Sequence, residues 1–600
     1  MIKTKTKTKK TQPSSYISTL HISVLAFILA VVPLIVLLKI IPLEGVLYEI
    51  WTGDKNNFDF FSYYKSRAIV WAAIILVLSV IFGKTVNKLN FKKTNIYIPI
   101  GIFSVLAILS TILSKNKKVA MHGFIDRYEG LFVLIAYMMI LVIAINVVNK
   151  EKHIKVLMGA VLASGFIICV VGLFQFWGLD IFKTRFGIDL ILPSSLKDLA
   201  DQLKFTLEDS LVYSTLYHSN YVGSYIAMLL PICIALFLLL QNKTHKIVMA
   251  SLSVLMIVNL LGSRSRGGLV GLGLAIIILV IILWKRIFKN KAYLVSFMAL
   301  SSVCLLIMNS ATDDALLNKI VSITSDPRII INEGSLKDVV INGNEVEITF
   351  GNEVLRVKNQ DGNLLFKDSN GDDIPIENIN GILMFQKEGY KNYSLHLSTY
   401  VEGIVLQVQR KDISLRFLID DNGFKFINKR GEPVNLRPIE RIGFEGRENL
   451  GSARGYIWSR SLPLLKKTWL IGFGPDTFAI HFPQDDYIGK LIAYGDMGMV
   501  VDKAHNLYLQ TAINTGVLSL LAMLSLFGMY MFSSLKLYIK NQFNDTHSIV
   551  GVAIFLGICG YLAAGLFNDS VVSVAPVFWG LLGIGISINI HLTNLNMKKH

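Results

Sequence analysis

Apolar residues along this chain come in long runs broken by short basic stretches and, in one region only, in brief alternating bursts. Twelve runs approach the roughly 20 residues that a helix needs to cross about 30 Å of hydrocarbon. They lie near 19–42, 67–84, 96–114, 130–149, 156–177, 221–241, 247–262, 268–284, 292–309, 507–533, 547–567 and 575–592. Unpaired backbone groups are so unfavourable in lipid that helix is the expected state of each run. The pattern therefore predicts an all-α polytopic membrane protein of about 12 transmembrane helices, nine within 1–309 and three within 507–600. The first run is too long for a signal peptide and lacks a small-residue cleavage pattern, so it reads as a membrane helix.

The exception lies between the ninth and tenth runs. From about Ile330 to Phe426, stretches such as "NEVEITF", "EVLRVKN", "GIVLQVQR" and "SLRFLIDD" alternate apolar and polar residues between the turn signals "NG", "DG" and "SNG". Alternation of period two with such turns predicts an antiparallel β-rich domain inserted over 310–450. Beyond it, "GSARGYIWSRSLPLLKKTWLIGFGPDTF" mixes apolar and basic residues too closely to span a bilayer. Over 451–506 this predicts a surface loop with an amphipathic helix and a glycine-rich turn at Gly472–Pro475.

Composition agrees with a membrane protein: 53% of residues are hydrophobic and 17% charged. The formal net charge of +17 raises the question of a nucleic-acid partner. Its placement answers that question. Lysine and arginine crowd the first ten residues, 84–93, 150–155, 243–246, 285–291, 536–540 and the last three residues, each a terminus or an even-numbered loop. Under the positive-inside rule both termini are cytoplasmic, and loops 43–66, 115–129, 178–220, 263–267, 310–506 and 568–574 face outward. The charge thus encodes orientation in a lipid bilayer, and no nucleic-acid partner is expected. Cys169, Cys233, Cys304 and Cys559 all fall in apolar runs, far apart, and suggest neither disulfides nor a metal site.

Several polar residues stand at the outward ends of these runs. His505, at the mouth of the tenth, is a candidate general base, since an imidazole accepts protons near neutral pH. Position alone favours the plainer role of marking the water interface. Arg264 and Arg266 in "GSRSRGG" have almost no polar loop to hold them, and their sign is opposite to that expected outside. Snorkelling to headgroups is one account; a phosphate partner, matched by the guanidinium fork, is the favoured one. Arg454 in "SARGYIW" resembles a second anion clamp, with Arg460, Lys466 and Lys467 marking the alternative of a basic surface helix. Arg127 in "DRYEG" is a possible donor or acceptor contact unless Asp126 and Glu129 merely neutralise it. His218, Asn220 and Tyr221 in "YHSNYVG", and Asn506 beside the histidine, are possible sugar contacts. Asp485, Asp486 and Asp502 rank lower, as groups to orient a base or bind a cation.

Six stretches in series, "DRYEGLFVLIAY", "YHSNYVGSYIAMLLP", "GSRSRGGLVGL", "SARGYIWSRSLPLL", "GFGPDTF" and "DKAHNLYLQTAINTGVLSLL", resemble the O-antigen ligase and polymerase superfamily of membrane glycosyltransferases. The β-rich insert lies outside that resemblance. Members often carry proline where this chain has Ala504, which predicts a looser approach to the tenth run. The resemblance implies transfer of a glycan from undecaprenyl pyrophosphate to an acceptor hydroxyl of a glycan, wall polymer or protein. The reaction is placed on the outer face of the cytoplasmic membrane, without cofactor or metal. His505 matches the family's histidine, proposed to deprotonate the acceptor. Arg266 and Arg454 match the arginines that bracket the pyrophosphate, with Arg264 as a neighbour. A repeat-unit polymerase of the same superfamily is the alternative, and a lipid-linked glycan flippase is the alternative of a different class.

Overall fold

A computed structural model describes residues 13–597, apart from 51–54, 88–90, 202–210, most of 290–334, and 361, 380–381 and 401–402. Among the described residues eight helices are long and apolar enough to cross a membrane: Tyr63–Asn87, Glu151–Phe176, Ser219–Leu239, Lys243–Gly262, Arg266–Lys289, Val517–Tyr538, Thr546–Ala564 and Ala575–Met597. Three more apolar helices are shorter, Pro13–Ala30, Tyr97–Leu113 and Leu131–Val147. The count of 12 spans is thus not confirmed. The expected run at 292–309 lies almost wholly outside the described residues, as do Cys304 and the lysines of both termini.

The helices sort by what surrounds them. Ser219–Leu239, Thr546–Ala564 and Ala575–Met597 are wrapped by protein on nearly all sides. The outer helices instead turn large apolar side chains such as Trp71, Leu78, Ile281 and Phe532 outward, as a helix facing hydrocarbon does. At the centre, small residues let backbones touch. A methyl group on Gly268 would lie 2.7 Å from the Cα of Gly223, and one on Gly223 would lie 2.1 Å from Ser265 Oγ. Gly271 likewise abuts the Gly560 carbonyl, and Gly560 that of Ala227. This seam presses "GSRSRGG" against "YHSNYVG" and fixes where their polar residues emerge.

Two runs depart from the simple expectation. The first ends as helix at Ala30, because Pro33 starts a 3₁₀ turn over Val32–Leu34, and a proline cannot donate to a continuing helix. Lys39–Pro42 then pairs antiparallel with Asn56–Asp59. The tenth breaks at Gly516, whose φ of 108° suits glycine. It divides Leu507–Thr515 from Val517–Tyr538, and the Val517 amide is taken by the carbonyl of Thr468 at 3.0 Å. The short first helix thus belongs to the outer loop and the second to the membrane.

The β-rich region runs from Leu336 to Val434 as two antiparallel meanders, one of four strands and one of seven. Alternate residues including Ile348, Phe350, Leu395, Leu406, Phe417 and Phe426 form their shared core. Ile488 and Leu491 of the helix Tyr487–Tyr494 enter that core. The β region is therefore fastened to the same loop that leads to His505.

Polar contacts gather at two opposite ends. At one, Lys92 Nζ donates to Ser587 Oγ at 2.6 Å, Thr546 Oγ1 to Glu151 at 2.8 Å, and Arg286 meets Gln542. At the other, Asn57 meets Asp126, Lys65 meets Ser573, Arg454 meets Phe567, and the Val212 amide meets the Gly262 carbonyl. The loops expected to share one side of the bilayer do converge. Replacing Gly268 by valine should drive two backbones apart, at a cost of about 1–3 kcal/mol or more, whereas Gly273→Val, which meets nothing within 4 Å, should be tolerated. Thermal unfolding of the two purified variants in detergent compares them.

Candidate functional site

The site is organised by the buried side chain of Arg127, only 2% exposed. Its Nε donates to Asp476 Oδ1 at 2.7 Å, its Nη1 to Asp569 Oδ2, and Glu129 Oε2 lies 3.7 Å from Nη2. Asp476 comes from "GFGPDTF" and also accepts the amides of Phe124 at 2.7 Å and Glu129 at 3.1 Å. The turn "DRYEG" is thus closed by a carboxylate some 350 residues away (|i−j| = 349). Burial opposes the Arg127 charge, but Asp476 and Asp569 outweigh it and hold the guanidinium ionised. Burial pushes the Glu129 carboxyl up to about 7, where it accepts from Tyr137 and Ser570. Arg127 is therefore a structural cation with its charge spent on protein carboxylates. The expected alternative, neutralisation by its sequence neighbours, is right in kind, but the principal partners are remote.

Asp569 links this knot to the histidine. Its Oδ2 is held by Arg127 and, at 3.1 Å, by the Tyr221 hydroxyl. Its Oδ1 faces His505 Nδ1 at 3.9 Å. Both atoms are buried, and neither has a hydrogen-bond partner among the described residues. Burial would raise the Asp569 carboxyl, yet Arg127 and Lys503 hold it below the usual carboxylate range. For His505 burial acts in the other direction, and with Lys503 and Arg454 it sets the imidazole well below its ordinary 6.5. The side chain still keeps 24% of its surface open. His505 is accordingly a neutral, accessible imidazole with an ionised carboxylate behind it.

The loop carrying it is pinned on both sides. The Ala504 amide donates to Gln510 Oε1 at 2.8 Å, and the Ala504 carbonyl accepts from Trp458 Nε1 at 2.9 Å. A proline at 504 could not make the first of these bonds, so alanine here tightens the approach where loosening was expected. Asn506 caps the helix Leu507–Thr515, accepting the amides of Tyr508 and Leu509, and donates to the Leu566 carbonyl. Its amide is committed to the backbone and holds the histidine in register. His505 itself has a φ of 48°, and Arg264, Asp476, Asp126, Tyr128 and Tyr217 are also left-handed. Non-glycine residues in this region are strained, and such strain gathers at functional sites.

The arginines converge from two helices. Arg454 donates through Nε to the Phe567 carbonyl at 2.9 Å and through Nη1 to the Gly451 carbonyl at 2.7 Å. Burial, and then the like charge of Arg266, lowers its proton affinity despite Asp569. Arg266 is thus close enough to act on Arg454, and Arg454 in turn acts on His505. Arg264 sits in the same turn, two residues before Arg266, at the N-terminal edge of the helix Arg266–Lys289. Of the three residues in "YHSNYVG", His218 caps its own helix by accepting the Asn220 amide at 3.1 Å. Asn220 offers its carbonyl to Asn568 at 3.3 Å, and Tyr221 is engaged with Asp569. Asp486 pairs with Arg460 at 3.0 Å and caps the helix Tyr487–Tyr494, and Asp485 pairs with Arg437. These two acids serve the loop and not the base. Arg460, at 6% exposed, is buried and so is no part of a basic surface. Among the described residues no three His, Cys, Asp or Glu side chains converge as metal ligands.

Sequence reasoning singled out neither Asp569 nor Asp476. The available signal for Asp569 was a carboxylate in an outward loop of only seven residues between two apolar runs. Residues 403–524 match the family model described as O-antigen ligase. The match includes Arg454, Asp476 and His505, and it begins within the last strands of the β region, so that region does not lie wholly outside the family's pattern. A search of curated proteins returned no match. Replacing Arg127 by alanine should leave Asp476 and Asp569 uncompensated and cost about 3–5 kcal/mol. Arg127→Lys should recover only part of this, because an ammonium lacks the guanidinium fork; unfolding midpoints of the purified variants measure both.

Proposed function

We propose, on the premise that this chain belongs to the O-antigen ligase superfamily, that it transfers a glycan from undecaprenyl pyrophosphate to an acceptor hydroxyl outside the cytoplasmic membrane. The observation that carries this reading is His505 with Asp569 behind it and Arg454 near it, Arg454 being itself a neighbour of Arg266, at one end of a bundle of apolar helices. In the reaction the acceptor oxygen attacks the anomeric carbon of the donor and bonds to it. The bond from that carbon to the phosphate oxygen breaks, and its electron pair leaves with the lipid pyrophosphate. The acceptor proton passes to His505 Nε2, the ring nitrogen turned away from Asp569, and then to solvent.

Each group acts where charge changes. The imidazolium forming on His505 is stabilised by Asp569 at its other nitrogen, while the carboxylate keeps its charge because Arg127 holds it. Negative charge growing on the pyrophosphate meets Arg266 and Arg454, with Arg264 adjacent, fixed in place before the reaction begins. Arginine suits this task because its fork matches phosphate oxygens in pairs. Ligation to a foreign acceptor and polymerisation of repeat units use the same chemistry and differ in the acceptor hydroxyl. The β-rich region is fastened to the loop before His505, which supports a role for it in meeting that acceptor.

With purified protein, lipid-linked donor and acceptor, His505→Ala should lower turnover by about 10²–10⁴-fold while donor binding persists; near-normal turnover would remove His505 as the base. Arg266→Lys should weaken both binding and turnover, and full rescue by lysine would replace a bidentate contact with simple charge. Because the base must be unprotonated and its proton affinity is lowered, the acidic limb of kcat/KM should fall below pH 6.5.

A further inference from the structure

The chemistry above leaves unused a buried charge close to the histidine. Lys503, two residues before His505, is 8% exposed. Its Nζ lies 3.2 Å from Tyr221 Oη and 3.4 Å from Asp502 Oδ2. It stands over the rings of Tyr217 at 5.9 Å and Tyr221 at 5.4 Å, which are stacked on each other. An ammonium has only protons to give, so it donates to Tyr221 Oη, which must spend its single hydrogen elsewhere. That hydrogen goes to Asp569 Oδ2 at 3.1 Å, and the other oxygen of Asp569 faces His505 Nδ1. Two hydrogen bonds therefore link Lys503 through Tyr221 to Asp569, whose free oxygen faces the His505 ring across 3.9 Å.

We propose that Lys503 is a positioning residue that acts through Tyr221 and Asp569 to keep His505 in its neutral, proton-accepting form. The proposal rests on the reading of His505 as the base. Charges reach this imidazole from every side. Lys503 and Asp502 come from its own loop, His218 and Tyr221 from the start of one helix, Arg454 from another, and Asp569, backed by Arg127, from the loop opposite. Of these, Lys503, Arg454 and Arg127 are cations and Asp502 and Asp569 carboxylates, so the loss of one charge alters the field on the ring. Burial pulls the Lys503 ammonium toward neutrality, but Asp502 and Asp569 hold it above its ordinary value. A permanent positive charge here disfavours a second one on His505, and it draws on the same carboxylate that would otherwise attract a proton to the ring. Orientation follows from the same bonds: Tyr221 and Arg127 together fix one oxygen of Asp569, so the other stays on the histidine. Lysine suits this place because its compact ammonium can stand over two tyrosine rings at once.

The sign of the test is determined. Without Lys503, Asp569 and Asp502 are less compensated, so His505 binds a proton more readily and titrates at higher pH. The full-length protein in detergent is treated with diethyl pyrocarbonate, which modifies neutral imidazole, and modification of His505 is followed by peptide mass analysis across pH. Lys503→Met should move the midpoint up by about one pH unit. Tyr221→Phe, which keeps the packing and deletes the link, should move it the same way by less, and Lys503→Arg should stay near the parent. A midpoint unmoved in folded Lys503→Met overturns the proposal, and where that variant does not fold, an unmoved midpoint in Tyr221→Phe does so. Since the titration reads the imidazole itself, it is separate from the catalytic reading. A shifted midpoint together with intact transfer by His505→Ala would refute the base and leave the role of Lys503 standing.

Discussion

A guanidinium sealed from water needs carboxylates around it, and Arg127 finds one in its own turn, Glu129, and two in distant parts of the chain, Asp476 and Asp569. Breaking such a buried set strands charge in a low dielectric, which is far less favourable than leaving the whole set in place. The turn at Phe124–Glu129, the loop at Asp476 and the loop at Asp569 are therefore interdependent. This matters because only one oxygen of Asp569 is taken up by Arg127 and Tyr221. The other is directed at His505, so the ion set that holds the outer loops together also orients the candidate base.

The remaining architecture delivers groups to that point. The small-residue seam around Gly223, Gly268 and Gly560 brings the arginine turn and the tyrosine helix to one level. Gly516 lets the chain leave the outer loop and enter the bundle, so that Leu507–Thr515 forms a shelf under His505 instead of the top of a straight span. The β-rich region shares its core with Tyr487–Tyr494, so motion of that region and of the loop before His505 must be coupled.

Arg127 and Asp569 show how local readings mislead. An arginine near a span end, taken with its neighbours only, is equally compatible with phosphate binding and with internal pairing; its partners lie hundreds of residues away and nothing nearby marks them. Asp569 was invisible for the complementary reason, since one carboxylate in a short loop acquires its meaning from what faces it. Asn506 and Tyr221, read as sugar contacts, turned out to be engaged with protein, one as a helix cap and one on a carboxylate. His505, Arg266 and Arg454 stood out as candidates because polar groups at the edges of long apolar runs are conspicuous whatever the fold.

The sequence alone determined that long apolar helices dominate and that an antiparallel β-rich region lies between them, because apolar run length and strand alternation are properties of single segments. It did not determine the break at Gly516, the hairpin formed by the end of the first run, or which charges are spent on one another. Those depend on close approach between segments remote in the chain, where a few tenths of an ångström and a desolvated charge decide the outcome. Whether a given arginine holds the fold together or remains available to a phosphate is settled only there.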